Sequence, residues 1–164
     1  MTRTFLIRDS LFRVMWEGDE TVKVKDIING DVISVASSTP IIEVARQMRD
    51  CGAGVIPVCE NGKFQGVITE RDIVISLVAA ASDLKKQQAG TLAHSRHPMI
   101  SPGVDIMQAA KMMVDHGVRV LPVVQNGKLL GLFTLEDLAR ESIALAAMVF
   151  SKTIKPQASG ETQV

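Results

Sequence analysis

The sequence contains no tyrosine, and aromatic residues make up 4% of the chain. Proteins that bind single-stranded nucleic acid stack bases on aromatic side chains, so this scarcity disfavours such a surface. Basic residues show no excess either, because 18 Lys and Arg balance 18 Asp and Glu. DNA- and RNA-binding domains usually carry a basic patch. We therefore expect no nucleic-acid partner.

Cysteines and long apolar runs are also scarce. The two cysteines, Cys51 and Cys59, are spaced too widely for a CxxC redox pair and are too few for a zinc cluster. The N-terminal residues 1–21 are interrupted by charges and lack the apolar core of a signal peptide. No apolar stretch approaches the ~20 residues that span a bilayer. These features predict a cytoplasmic protein with reduced thiols and no membrane partner.

The chain contains a duplicated unit. When it is shifted by 65 residues, residues 26–80 overlie residues 91–145 with 15 identities in 55 positions. Average residue usage would give about three. The overlay predicts two homologous units, which share a proline in an apolar run, an Asn-Gly-Lys triplet and a Gly-x-x-Thr-x-x-Asp pattern. These matches are Pro57 and Pro122, Asn61–Lys63 and Asn126–Lys128, Gly66 and Gly131, Thr69 and Thr134, and Asp72 and Asp137.

Apolar periodicity predicts the same elements in each unit: a short strand, a helix, a hairpin of two strands with an Asn-Gly turn, and a second helix. In the first unit they cover 32–35, 40–50, 55–59, 64–68 and 69–81. In the second unit the helix, the two strands and the last helix cover 105–116, 118–124, 129–133 and 135–150.

The expected layout has five parts. They are an N-terminal segment (1–21), a first repeat (22–82), a linker (83–90), a second repeat (91–150) and a flexible tail (151–164). A unit of about 60 residues is marginal alone, so we expect the repeats to pack on each other. The stretches 73–81 and 106–114 are apolar nearly all round, which requires cover on several sides. A symmetric homodimer would supply it.

The Thr-x-x-Asp pattern at the start of each last helix has two interpretations. A helix N-terminus offers free N–H groups that suit a phosphate, and an ionised carboxylate can accept both hydroxyls of a ribose. Alternatively, Thr and Asp at this spacing form a capping box that stabilises the helix. Both interpretations apply to Thr69 with Asp72 and to Thr134 with Asp137, and one pair can serve both roles.

The two tandem units resemble a pair of CBS (cystathionine-β-synthase) domains, also called a Bateman module, over about residues 22–145. The resemblance implies an α/β (α+β) fold of two β-α-β-β-α repeats that form a pseudo-twofold disk with two clefts. It implies a stand-alone regulatory module and not an enzyme. Its expected ligand is AMP, ADP, ATP or S-adenosylmethionine, with no obligatory cofactor. Ligand binding would change shape or assembly and signal to an unidentified target protein.

The resemblance also assigns roles to particular residues. Asp72 and Asp137 would bind ribose, and Thr69 and Thr134 would lie near phosphate. Adenine would lie against the apolar-proline strands, which hold Ile56, Pro57, Leu121 and Pro122.

The two copies differ in their basic residues. Arg71 is a candidate phosphate contact or a solvated helix residue, and its counterpart Glu136 would repel a phosphate. Arg119 matches a position that often carries a phosphate contact in the family, although a surface strand residue would look the same. His97, in the segment entering the second repeat, is a further candidate. His97 and His94 lack an evident third ligand, so we predict no metal site.

A ligand-free module for dimerisation or protein interaction is the alternative. The bulky Phe133 and Leu135, with Glu136, could close the second cleft. An enzyme is disfavoured, because the sequence shows no Walker loop, dinucleotide fingerprint or nucleophile–base set.

Overall fold

The computed structural model describes residues 22–28, 30–93 and 97–154. It contains two antiparallel hairpins, one formed by β1 (Val55–Glu60) and β2 (Lys63–Thr69) and the other by β3 (Val120–Gln125) and β4 (Lys128–Thr134). The predicted α+β class is confirmed. The helices are α1 (Ile41–Cys51), α2 (Glu70–Ile73), α3 (Ala89–Leu92), α4 (Ile106–His116), α5 (Leu135–Glu141) and α6 (Ile143–Thr153), with 3₁₀ turns at Val24–Asp26 and Leu84–Lys86. None of these helices is long and apolar enough to span a membrane.

The hairpin turns form as predicted. Asn61 and Gly62 have φ angles of 50° and 73°, and Asn126 and Gly127 have φ angles of 52° and 77°. A two-residue turn with positive φ at both positions matches the twist of the flanking strands, and Asn-Gly adopts it with little strain.

The leading strand of each repeat is reduced to a single bridge. Val35 pairs in parallel with Val58, and Ile100 pairs with Val123 in the same way. The N–H of Val35 donates to the carbonyl of Pro57 (3.0 Å). The chain then turns at once, because the N–H of Thr39 donates to the carbonyl of Ala36 (3.0 Å). This turn ends the pairing after one residue.

The single helix predicted over 135–150 is wrong, because the chain forms two helices that meet at Ser142. Ser142 has an extended backbone (φ −149°, ψ 102°), and its hydroxyl accepts from the N–H of Leu145 (3.3 Å). Serine is a favoured N-cap residue, so it ends α5 and begins α6. The second helix extends to Thr153, and residues 151–153 therefore belong to it and not to the predicted tail.

The helix predicted over 69–81 is also shorter than expected. Four residues of α-helix in α2 continue as a π-helical turn over Val74–Val78, in which the N–H of Ala79 donates to the carbonyl of Val74. Ala81 has a φ of 53°, a left-handed conformation that ends the helical path.

Each repeat contributes its leading segment to the core of the other repeat. Val24, which precedes α1, is fully buried among the core residues of the second repeat. Ala89 and Leu92 lie 65 residues after Val24 and Ile27, and both are buried in the core of the first repeat. Part of the predicted linker is therefore packed, and each core is completed by the other repeat.

Backbone pairing follows the same exchange. An antiparallel bridge joins Lys23 to Asp105, and a second joins Gln88 to Pro40. The two bridges are equivalent under the 65-residue offset, because Lys23 corresponds to Gln88 and Pro40 corresponds to Asp105. Reciprocal contacts of this kind are those of a twofold relation, so an approximate twofold axis relates the repeats.

Candidate ligand cleft between the repeats

A cleft of about 310 Å³ lies between the two repeats. One wall comes from the first repeat and includes Ile33 and Ile56, and the other comes from the second repeat and includes Thr134, Asp137 and Arg140. Small-molecule sites usually measure ~300–1,000 Å³ and combine apolar walls with a few polar groups. The cleft meets both criteria.

The polar wall is held by a capping box at the start of α5. The backbone N–H and the hydroxyl of Thr134 both donate to Oδ2 of Asp137, at 2.9 Å and 2.7 Å. The N–H of Asp137 donates to Oγ1 of Thr134 at 3.1 Å. These three bonds fix the carboxylate relative to the strand end.

The same box forms in the first repeat. Thr69 donates through its backbone N–H (2.8 Å) and its hydroxyl (2.6 Å) to Oδ2 of Asp72, whose N–H donates to Oγ1 of Thr69 (3.1 Å). The capping interpretation is therefore confirmed in both copies. The ligand interpretation stays a prediction.

Asp137 is the one residue of the cleft wall that carries a buried charge. Its Oδ1 accepts from Nη1 of Arg140 at 2.7 Å, three residues later on the same helix face. Arg140 is not among the residues shared by the two copies, because the equivalent position of the first copy is Ile75, and sequence reasoning therefore missed it. The Asp-x-x-Arg spacing was the available signal.

The apolar-proline strands contribute unequally to this cleft. Ile56 borders it, although its side chain is 1% exposed and belongs to the core of the first repeat. Leu121 is fully buried in the core of the second repeat and does not line this cleft. Pro57 and Pro122 lie at buried positions. Their carbonyls accept from Val35 (3.0 Å) and Ile100 (2.9 Å).

The two arginines predicted near phosphate are both exposed. Nε of Arg119 donates to Oγ1 of Thr153 (3.1 Å), and its guanidinium lies 5.1 Å from the ring centre of Phe150. Arg119 thus anchors the end of α6. Arg71 is exposed on α2. Neither residue lines the 310 Å³ cleft.

The residues predicted to close the cleft face other directions. Phe133 is fully buried in the core of the second repeat. Leu135 and Glu136 line a separate outer groove of about 360 Å³ with Ile143 and Phe150. Glu136 therefore borders that groove and not the cleft.

His97 is half-buried, and its Nε2 donates to the carbonyl of Val120 (2.9 Å). By the 65-residue offset it corresponds to Val32, which lines the cleft. His94 lies outside the described residues. Within the ranges that are described, no three His, Cys, Asp or Glu side chains are grouped so that they could hold a metal ion.

Both cysteines are free thiols. Cys51 is exposed and lines the cleft, and its thiol donates to the carbonyl of Gln47 (2.8 Å). Cys59 lies on β1, where partial burial raises the pKa of its thiol above the usual value, against a smaller lowering effect from a hydrogen bond with Ser34.

Comparison with known proteins identifies relatives with the same architecture. Hypoxic response protein 1 of Mycobacterium tuberculosis is 32% identical over 131 residues, which cover 79% of this chain and 92% of that protein. Its crystal structure, with two coordinated zinc ions, superposes with a TM-score of 0.67 over 73% of this chain and 98% of the relative.

Two more distant structures share the fold. CBSX2 in complex with AMP is 20% identical, with a TM-score of 0.65 over 74% of this chain and 96% of that chain. The hexameric CBS-CP12 protein from bloom-forming cyanobacteria is 21% identical, with a TM-score of 0.64 over 76% of this chain and 74% of that chain. The CBS domain family model matches residues 24–79 and 89–144. The chain therefore belongs to the CBS domain family and carries two CBS domains in tandem.

Proposed function

We propose that this protein is a regulatory module that binds an adenosine-containing nucleotide in the cleft between its repeats. The observation that carries the proposal is that the fixed, buried carboxylate of Asp137 lines the same cleft as the exposed Ile33 and the buried Ile56 of the other repeat. An apolar wall facing a single positioned acceptor suits a ligand with one flat apolar part and one polar part. Adenosine is such a ligand, and a distant structural relative binds AMP.

The cleft offers a separate surface to each part of the ligand. The adenine ring would pack on the apolar wall of Val32, Ile33 and Ile56, and the ribose hydroxyls would donate to Asp137. The hydroxyl of Thr134 already donates its proton to Asp137, so the role of Thr134 is to orient the carboxylate. This differs from the direct phosphate contact that the resemblance suggested.

Regulation follows from the two-sided construction of the cleft. A ligand that contacts both repeats binds better to the arrangement in which the walls are correctly spaced. Such a ligand shifts the population toward that arrangement. Binding in this cleft therefore couples ligand concentration to the relative position of the repeats, and no chemical step is required.

Isothermal titration calorimetry with AMP, ADP, ATP and S-adenosylmethionine tests this proposal. We expect at least one of them to bind, and we expect Asp137→Asn to weaken binding at least about tenfold, as loss of a charge-assisted hydrogen bond does. Glu136→Gln, one residue away and outside the cleft, is the matched control. Asp72→Asn tests the equivalent motif. No binding at millimolar ligand, after extraction has excluded a retained ligand, would refute the proposal.

We also propose that the chain forms a homodimer through its exposed apolar helix faces. The groove along α5 and α6 is lined by Leu135, Ala139, Ile143 and Phe150. Ile143 is 80% exposed. Contiguous exposed apolar surface marks interaction sites, and the distant relative CBS-CP12 is hexameric.

Sedimentation velocity tests the dimer. We expect Ile143→Glu to give a monomer, because it places a charge in the apolar groove. Ala144→Glu, at the next residue of α6 and exposed outside the groove, should leave the dimer intact. A wild-type monomer at micromolar concentration would contradict this arrangement.

A further inference from the structure

The ion pair between Arg140 and Asp137 lies inside the candidate cleft. Nη1 of Arg140 donates to Oδ1 of Asp137 at 2.7 Å, and both residues line the 310 Å³ space. The other carboxylate oxygen, Oδ2, is held by Thr134. Oδ1 is therefore the oxygen at which a ligand could take the place of Arg140 as the hydrogen-bond donor.

The two partners differ greatly in exposure. The side chain of Asp137 is 9% exposed, whereas that of Arg140 is 71% exposed. A buried carboxylate that loses its partner carries a large desolvation cost. An exposed guanidinium is solvated by water and adds little stability through its ion pair. Arg140 can therefore leave the pair easily, provided that Asp137 receives other hydrogen-bond donors.

We propose that Arg140 is the phosphate-selecting residue of this cleft and makes it accept nucleotides in preference to nucleosides. The inference rests on the nucleotide-binding function proposed above. Ribose hydroxyls would replace Arg140 as donors to Oδ1 of Asp137. The released guanidinium would then bind the phosphate of the same ligand through paired N–H donors, which is the geometry that suits Arg to phosphate.

A nucleoside offers only half of this exchange. Its hydroxyls satisfy Asp137, but Arg140 loses a carboxylate and gains no anion in return. Free phosphate offers the other half, and its capture of Arg140 would leave the Asp137 carboxylate buried without that partner. A ligand that carries both groups satisfies both residues, so affinity depends on their presence in one molecule.

The position of the basic side chain places the phosphate on the wall of the second repeat. Among the described residues that line the cleft, Arg140 is the only basic one, and it lies on that wall. The first repeat has Ile75 at the position of Arg140. The arginine that would bind phosphate is therefore present in the second motif and not in the first, and the two motifs would differ in their selectivity for phosphate.

Calorimetry with AMP and adenosine on wild type and on Arg140→Ile, which copies the residue of the first repeat, tests the inference. Wild type should bind AMP at least about tenfold more tightly than adenosine, the scale of a charged hydrogen bond. Arg140→Ile should lose most of that preference, chiefly through weaker AMP binding. Arg140→Lys, which keeps the charge without the paired donors, should retain part of it.

Arg46→Ile is the matched control. Arg46 is likewise exposed and pairs with a carboxylate three residues away, Glu43, at 3.3 Å, but it lies outside the cleft. Its removal should leave both affinities unchanged. If Arg140→Ile keeps the wild-type ratio of AMP to adenosine affinity while Asp137→Asn weakens AMP binding, the inference is overturned and the proposed function stands. If wild type binds neither ligand nor any other adenosine compound, both are overturned.

Discussion

Thr134 and Asp137 exchange three hydrogen bonds, of 2.7, 2.9 and 3.1 Å, across the first turn of α5. The same carboxylate forms part of the cleft wall. One pair of side chains thus caps a helix and presents an acceptor to the space between the repeats. Stability and ligand binding are therefore coupled at these two residues, and the capping and ligand interpretations are compatible.

Thr134→Ala should destabilise the protein by about 1 kcal/mol, the usual cost of losing an N-cap side chain. Thr134→Ser keeps the hydroxyl and should cost much less. The free energy of unfolding from urea denaturation measures both changes. Thr69→Ala, at the matching position of the first repeat, should behave alike. Equal stability of Thr134→Ala and wild type would show that the hydroxyl of Thr134 contributes nothing to the stability of the fold.

Truncation of Val24 should weaken the second repeat, although this residue begins the first. Its side chain is fully buried in the second core, so Val24→Ala should cost about 1–3 kcal/mol as a core methyl deletion. Hydrogen exchange should then speed up most in α4 (Ile106–His116). Leu92→Ala, the reciprocal variant, should affect α1 (Ile41–Cys51) most. If hydrogen exchange became faster only in the repeat to which each substituted residue belongs, the packing of these residues in the opposite core would be contradicted.

The features that the sequence predicted correctly are local ones. The Asn-Gly turns depend on a few neighbouring residues, and the duplication supplied the turn twice. The capping boxes were predicted from a three-residue spacing for the same reason. In each case the physical cause acts within one turn of the chain.

The features that were missed have different causes. Ser142 ends α5 and caps α6 through its own hydroxyl, and apolar periodicity does not record such a cap. The exchange of Val24 and Leu92 between cores follows from the twofold relation, which apolar periodicity does not record. Arg140 escaped notice because a comparison of the two copies highlights what they share, and this arginine is a difference between them.

Bound nucleotide should protect Cys51 from alkylation. Cys51 is exposed and lines the cleft, so a ligand seated there restricts access to its thiol. Mass spectrometry after brief N-ethylmaleimide treatment, with and without saturating AMP, measures the rate at each cysteine. Cys59 is the internal control, since it is not part of the cleft wall and its rate should not change. Equal rates at Cys51 in both samples would place the ligand elsewhere.

Stability should fall at alkaline pH through Cys59. Burial raises the pKa of its thiol in the folded protein, so the unfolded chain releases this proton at a lower pH than the folded chain does. The contribution is complete below the ordinary thiol pKa and is lost as the pH rises through the raised folded value. Cys59→Val, which copies Val124 of the second repeat, should show a smaller decrease in unfolding free energy between neutral pH and about pH 10. An unchanged decrease would show that Cys59 is not its source.

A crystal structure of the protein grown with AMP tests the central claim most directly. The account predicts adenine against Ile56, ribose hydroxyls within hydrogen-bond distance of Asp137 and phosphate at Arg140. An AMP molecule bound at another surface, or an empty cleft at saturating AMP with Arg140 still paired to Asp137, would contradict it.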